Sequence, residues 1–221
     1  MASLGEDIKE VYTEEGSATT IISRDPVVTD QWVIYDINSQ ATKPFIREHH
    51  LDATFPYDSE AVVGDVLNIT ELNRNYLVMN KTPEMFEDEV VEWSVVLYLC
   101  NLPVTAHILR PVEVRDNETL KMISGWQVIK ESPVYGLITD RLFGSQLEEN
   151  VRTGQNAIYR LDFYYPASYD LKPLDRVFVS ETEYYKIENI QRYNFPSVCM
   201  ALLVEDTRPK AVVIDGDIYD D

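Results

Sequence analysis

Positive charge is scarce in this chain. Its 19 lysines and arginines stand against 38 aspartates and glutamates, a formal net charge of −19 over 221 residues. Gripping nucleic acid needs Lys and Arg to displace the counterions on phosphates, so the balance argues against a DNA clamp or a sequence reader. A surface that DNA slides past without sticking stays allowed. Cysteine is nearly absent too: Cys100 and Cys199 stand alone, each inside an apolar run, and read as small buried hydrophobes in a reducing compartment. No apolar run approaches the roughly 20 residues that cross a bilayer. The opening MASLGEDIKE has neither the basic start nor the apolar core of a secretion signal. The expectation is a soluble, unsecreted protein with no membrane partner.

Glycine is sparse, with eight residues, and none falls in a GxGxxG, a P-loop or a GxSxG pattern. Histidine is rarer still. His49 and His50 are adjacent, so on an extended chain they point to opposite faces, and no cysteine or acid pattern completes a metal site around them. They read as surface histidines, and His107, in VTAHILR, reads as a hydrogen-bonding group at a strand end. Carboxylates are plentiful, but acid–base chemistry needs two of them held in unlike environments. No catalytic, cofactor-binding or metal-ligating residue is therefore assigned, and an enzyme is not expected.

What the chain has is a globular composition, 45% hydrophobic and 11% aromatic, arranged in short strands separated by turns, with almost no long helix. That pattern points to an all-β fold of two tandem small β-barrel or sandwich modules with long loops and little helix. The two-module reading rests on an internal repeat. Asp52, Pro56 and Asp65 recur at the same spacing as Asp162, Pro166 and Asp175, while Phe55, Glu60 and Ile69 meet Tyr165, Asp170 and Val179. After the loss of one residue, Tyr76, Val78 and Asn80 meet Tyr185, Ile187 and Asn189. The expected organisation is an N-terminal arm over 1–18, a first module over 19–108, a linker over 109–118, a second module over 119–207 and an acidic tail over 208–221. Within the second module, 145–151 carries the signs of a single helical turn, with Ser145 as its cap.

The copies differ between Asn80 and Trp93. There the first carries Glu84, Glu87, Asp88, Glu89 and Glu92 with no basic residue after Lys81, and the second has no counterpart. So many acids will not pack against a core. The stretch lacks the glycine turn and ligand spacing of a calcium loop and reads as a solvated hairpin. It is the candidate functional loop, while Glu14 and Glu15 in the arm and Asp215 and Asp217 in the tail are candidate assembly contacts.

Several segments carry a resemblance. QATKPFIREHHLDATFPYDSEAVVGDVL, YLVMNKTPEMF and the strand ending VLYLCN resemble virion structural proteins of tailed bacteriophages, in particular the stopper, or head-closure, proteins of the head-to-tail neck. The shared grammar is an aromatic-Pro stretch, an Asp before a short strand, a Tyr-led strand and a closing apolar strand. Gly64, Asp65, Val66 and Tyr76 meet it in the first copy, and Asp175, Val177, Tyr185 and Ile187 in the second, where Leu174 replaces the glycine. The resemblance is clearest over 40–102. It implies a ring of six or twelve copies in the virion neck, assembled in the bacterial cytoplasm. Its partners would be portal or adaptor and tail proteins, and DNA would pass through without sequence-specific binding. The acidic residues 84–92 would then face the channel or a neighbouring ring. A tail, baseplate or capsid-decoration protein is the alternative.

Overall fold

The computed structural model describes residues 4–37, 49–115, 122–140, 160–180, 182–195 and 197–206. One helix, α1 (Leu4–Glu15), precedes six strands: β1 (Ser17–Ile21), β2 (Val28–Ile37), β3 (His50–Pro56), β4 (Val66–Ile69), β5 (Arg74–Phe86) and β6 (Glu89–Leu99). These close into a barrel in the order β1-β2-β3-β6-β5-β4. The strands β7 (His107–Arg115), β8 (Met122–Lys130), β9 (Leu137–Asp140), β10 (Arg160–Pro166), β11 (Arg176–Ser180), β12 (Glu183–Phe195) and β13 (Val198–Glu205) form a second, curled sheet in the order β8-β7-β11-β12-β13-β10-β9. The fold is all-β in two modules, as the strand and turn pattern implied.

The repeat holds strand for strand, with β3, β4, β5 and β6 matching β10, β11, β12 and β13 in both order and register. Its signature is a buried ion pair at one end of each module. Asp65 and Asp175 are 7% and 1% exposed. Arg24, just past β1, donates Nε and Nη2 to the Asp65 carboxylate at 3.2 and 2.6 Å and Nη2 to the Glu60 carbonyl at 2.9 Å. Arg110, on β7, does the same to Asp175 at 2.9 and 2.8 Å and to the Asp170 carbonyl at 3.0 Å. Each carboxylate also accepts a backbone N–H three residues upstream, from Val62 at 2.9 Å and Lys172 at 2.7 Å. A buried carboxylate needs such partners, because a charge left unpaired away from water is strongly destabilising. The aspartates that align the two copies are therefore structural.

Apolar runs buried on both faces explain why alternation is weak in the most hydrophobic strands. In β5, Tyr76 and Val78 enter the barrel core while Leu77 and Met79 face the second module; in β13, Cys199, Ala201 and Leu203 line the second core while Val198 faces the first module. Between the modules lie Val66, Leu77, Met79 and Val198, with Tyr98, Cys100, Tyr135 and Tyr164 packed around them. Asn101 locks the junction: its side-chain amide accepts from the Ile138 N–H at 2.8 Å and donates to the Ile138 carbonyl at 2.7 Å. Cys100 and Cys199 are both unbridged.

Two expectations change. Residues 4–18 are not an arm awaiting a neighbour, because Leu4–Glu15 is a helix on the barrel with Tyr12 2% exposed. The 109–118 segment is not a linker as far as Arg115, since β7 pairs there with β8 throughout and with β11 at Leu109, despite Pro111. Strand β3 runs through the aromatic-Pro stretch, pairing Phe55 with Trp93 and Pro56 with Glu92. The helical turn expected at 145–151 and the acidic tail over 208–221 lie outside the described residues.

Candidate functional site

The acidic stretch is the far end of the β5–β6 hairpin. Pairing continues past the last β3 contact, Pro56↔Glu92, through Met85↔Val90 to Phe86↔Glu89, and the turn is made by Glu87 and Asp88, both at positive φ (47° and 68°). Glu84, Glu87, Asp88 and Glu89 are exposed, as are two apolar side chains among them, Met85 at 55% and Phe86 at 53%. The tip thus sets Met85 and Phe86 among carboxylates, on opposite faces of the hairpin as consecutive strand residues, and neither was singled out in the sequence. Glu92 does not belong with the others. It sits opposite Glu84 in the ladder, half-buried, and its carboxylate accepts the Tyr12 hydroxyl at 2.9 Å. Two carboxylates directly opposite repel; the phenol hydrogen bond offsets that at Glu92 and pins α1.

Glu14 and Glu15 are exposed at the C-terminal end of α1, where the helix dipole disfavours negative charge. The helix is held elsewhere. Lys9 pairs with Asp58, Gly5 lies against the Tyr57 ring, and Tyr12 is buried, which pushes its phenol well above the usual tyrosine range. Leu4, Ile8, Val11 and Tyr12 follow helical spacing, the one signal from which the helix was legible. Asp215 and Asp217 lie outside the described residues.

Superposing the repeat shows what α1 is for. Tyr12 packs where Thr54 and Glu92 present the outer face of β3 and β6. By register, the equivalents of Thr54 and Glu92 in the second module are Tyr164 and Val198, and both are spent on the inter-module contact. The same face is covered by a helix in one module and by the neighbouring module in the other. The complementary face ends differently. Val66, Leu77 and Met79 of the first module correspond to Arg176, Lys186 and Glu188 of the second, and there Arg176 is 7% exposed, paired with Asp206 and covered by the Trp126 ring at 3.8 Å. The first module is capped by α1, whereas the second covers its Arg176 with its own strand β8.

A second cation accompanies each clamp. Lys81 donates to the Ser59 and Ala61 carbonyls at 3.1 and 2.7 Å and lies 4.3 Å from the Trp93 ring centroid; Arg192 donates to the Leu171 carbonyl, the equivalent of Ala61, at 2.9 Å. Burial holds the Lys81 ammonium below the usual lysine range, partly offset by Asp65. These groups bind their own backbone and leave no open chemistry. His49 and His50 are half-buried, contrary to the surface reading. His50 sits edge-on to Tyr98 at 4.4 Å, and burial lowers its pKa. His107 stacks on Phe178 at 4.2 Å, with its Nδ1 3.2 Å from the Thr105 carbonyl. Among the described residues no three His, Cys, Asp or Glu side chains gather as a metal site, and no helix is long and apolar enough to cross a membrane. No family model matches the chain, and no curated protein or solved structure matches it either.

Proposed function

We propose that this chain is a structural component of a phage virion neck, a connector or stopper ring that joins the portal or adaptor to the tail and lines or closes the DNA channel. The observation that carries the reading is the β5–β6 hairpin. It extends past its own barrel, ends in Glu84, Glu87, Asp88 and Glu89, and has no acidic equivalent in the second module. Carboxylates presented to a channel repel the DNA backbone and lower its adhesion, which is how a chain with net charge −19 handles DNA without binding it. The resemblance over 40–102 supplies the location, and the clamps around Asp65 and Asp175 supply the rigidity that a ring subunit needs.

The test is negative-stain imaging and native mass spectrometry of the purified protein, alone and mixed with virion necks. Rings that join necks are expected. Monomers that never join a neck would sink the reading, and trimers on a baseplate or capsid would favour a tail or decoration role. Replacing residues 85–90 with an Asn-Gly turn should leave the fold intact and impair DNA retention or assembly.

A further inference from the structure

We propose that the β5–β6 hairpin tip of one chain docks on the 170–175 turn of the second module in another copy, a head-to-tail contact between identical chains. It deepens the ring reading and rests on it for closure and copy number, not for the contact itself. The two patches are exposed in the same chain. Phe86 is 53% exposed at the tip, and Leu174 is 53% exposed on the 170–175 turn.

Their charges are complementary. Glu84, Glu87, Asp88 and Glu89 flank Phe86 at the tip. The turn presents exposed Lys172; beside it Arg192, held on the Leu171 carbonyl with its side chain 48% exposed, lies 3.7 Å from the opposing acid Asp170, and Arg110 neutralises Asp175. The balance at the turn is opposite in sign to the tip, and that complementarity within one chain favours a second copy over a foreign partner.

The fold already makes this kind of contact once. Within one chain, the 62–65 turn of the first module receives the β12–β13 hairpin turn of the second, so closely that a Cβ on Gly64 would lie 2.6 Å from the Ser197 carbonyl oxygen. The equivalent of Gly64 in the second module is Leu174, at φ 79°. A hairpin cannot approach its backbone as closely there and must meet the leucine with a side chain of its own, which Phe86 provides. The repeat interface itself is not available for self-association, because α1 covers one face, and on the other Trp126 and Asp206 cover Arg176 beside the charged Lys186 and Glu188. Two different patches in contact make a heterologous interface, which propagates into a ring or a filament instead of stopping at a dimer.

The experiment is native mass spectrometry and sedimentation velocity on the full chain at micromolar concentrations, with Phe86→Asp and Leu174→Asp. Circular dichroism should show both variants folded, since both side chains are exposed. Wild type should form oligomers larger than a dimer, and each variant should be monomeric. An equimolar mixture of the two should form a dimer and go no further, because it retains one intact tip and one intact turn. A wild type that stays monomeric overturns the proposal, as do variants that assemble like wild type or a mixture that forms no dimer. Rings that survive Phe86→Asp sink this contact and leave the ring reading standing. Open chains that both variants abolish keep the contact and sink the ring.

Discussion

The first module closes on itself with one strand, whereas the second divides that strand and stays open. In the first, β2 pairs with β1 from Val28 to Val33 and then with β3 from Ile34 to Ile37. In the second, β8 pairs with β7 and β9 with β10, and the break between them holds Glu131, Ser132 and Pro133, the last with no N–H to give a ladder. Yet the arginine and backbone bonds to the buried aspartate are reproduced, with a Ser23 hydroxyl at 3.2 Å added in the first module alone. A duplicated β module can therefore lose closure and keep its register, because the register is anchored at a charged group that has no alternative partners in the core.

The largest expected effect strikes what the modules share. Asp175→Ala leaves Arg110 and the Lys172 N–H without their acceptor and should cost about 3–5 kcal/mol in urea unfolding. Asp65→Ala should cost less, because Arg24 is 32% exposed against 24% for Arg110 and water replaces part of what is lost. Equal losses would break the comparison. Next come the cores: Leu97→Ala and Ile187→Ala, both at 0% exposure, should each cost about 2–5 kcal/mol.

The modules also respond to pH through different tyrosines. Burial raises the pKa of Tyr12 on the first module and of Tyr165 and Tyr169 in the second. A raised pKa contributes stability that is fully present below the ordinary tyrosine value of about 10 and is lost as pH climbs beyond it, because unfolded tyrosines ionise first. The urea midpoint should fall above that pH, and Tyr12→Phe should remove the Tyr12 share while leaving that of Tyr165 and Tyr169.

Smaller effects test the mismatch between Gly64 and Leu174 in the repeat. Leu174→Gly should stabilise by about 1 kcal/mol, since it relieves a side chain from the left-handed region. Gly64→Ala should instead destabilise, because its Cβ meets the Ser197 backbone. Smallest of all, exchanging residues 85–90 for a two-residue turn should change stability by no more than about 0.5 kcal/mol, read by the same urea titration.

Much of the fold was legible in spacing. Asp52, Pro56, Asp65, Tyr76 and Asn80 recur in order, and β-rich patterning follows from runs such as VVLYL and VCMALLVE. The helix was missed because twelve residues of mixed polarity are marginal alone and become stable only when Tyr12 finds the barrel face. Strand β7 was taken for a linker because Pro111 and three charged side chains mark loops locally, while an Arg–Asp clamp to a residue 65 positions away keeps the segment in the sheet. Of the candidate site, the acidity was visible and its division was not: Glu92 differs from Glu84, Glu87, Asp88 and Glu89 only through a phenol that lies 80 residues before it.

The β-hairpin between Tyr76 and Leu99, the duplication and the acidic stretch are written in local periodicity and repeated spacing, which depend on nearest neighbours alone. Which face of each module is covered, by helix, by sister module or by water, was settled only in three dimensions. Coverage depends on the outer residues of strands far apart in the chain: Val66 faces the sister module, while its equivalent Arg176 takes Trp126 and Asp206 as its cover.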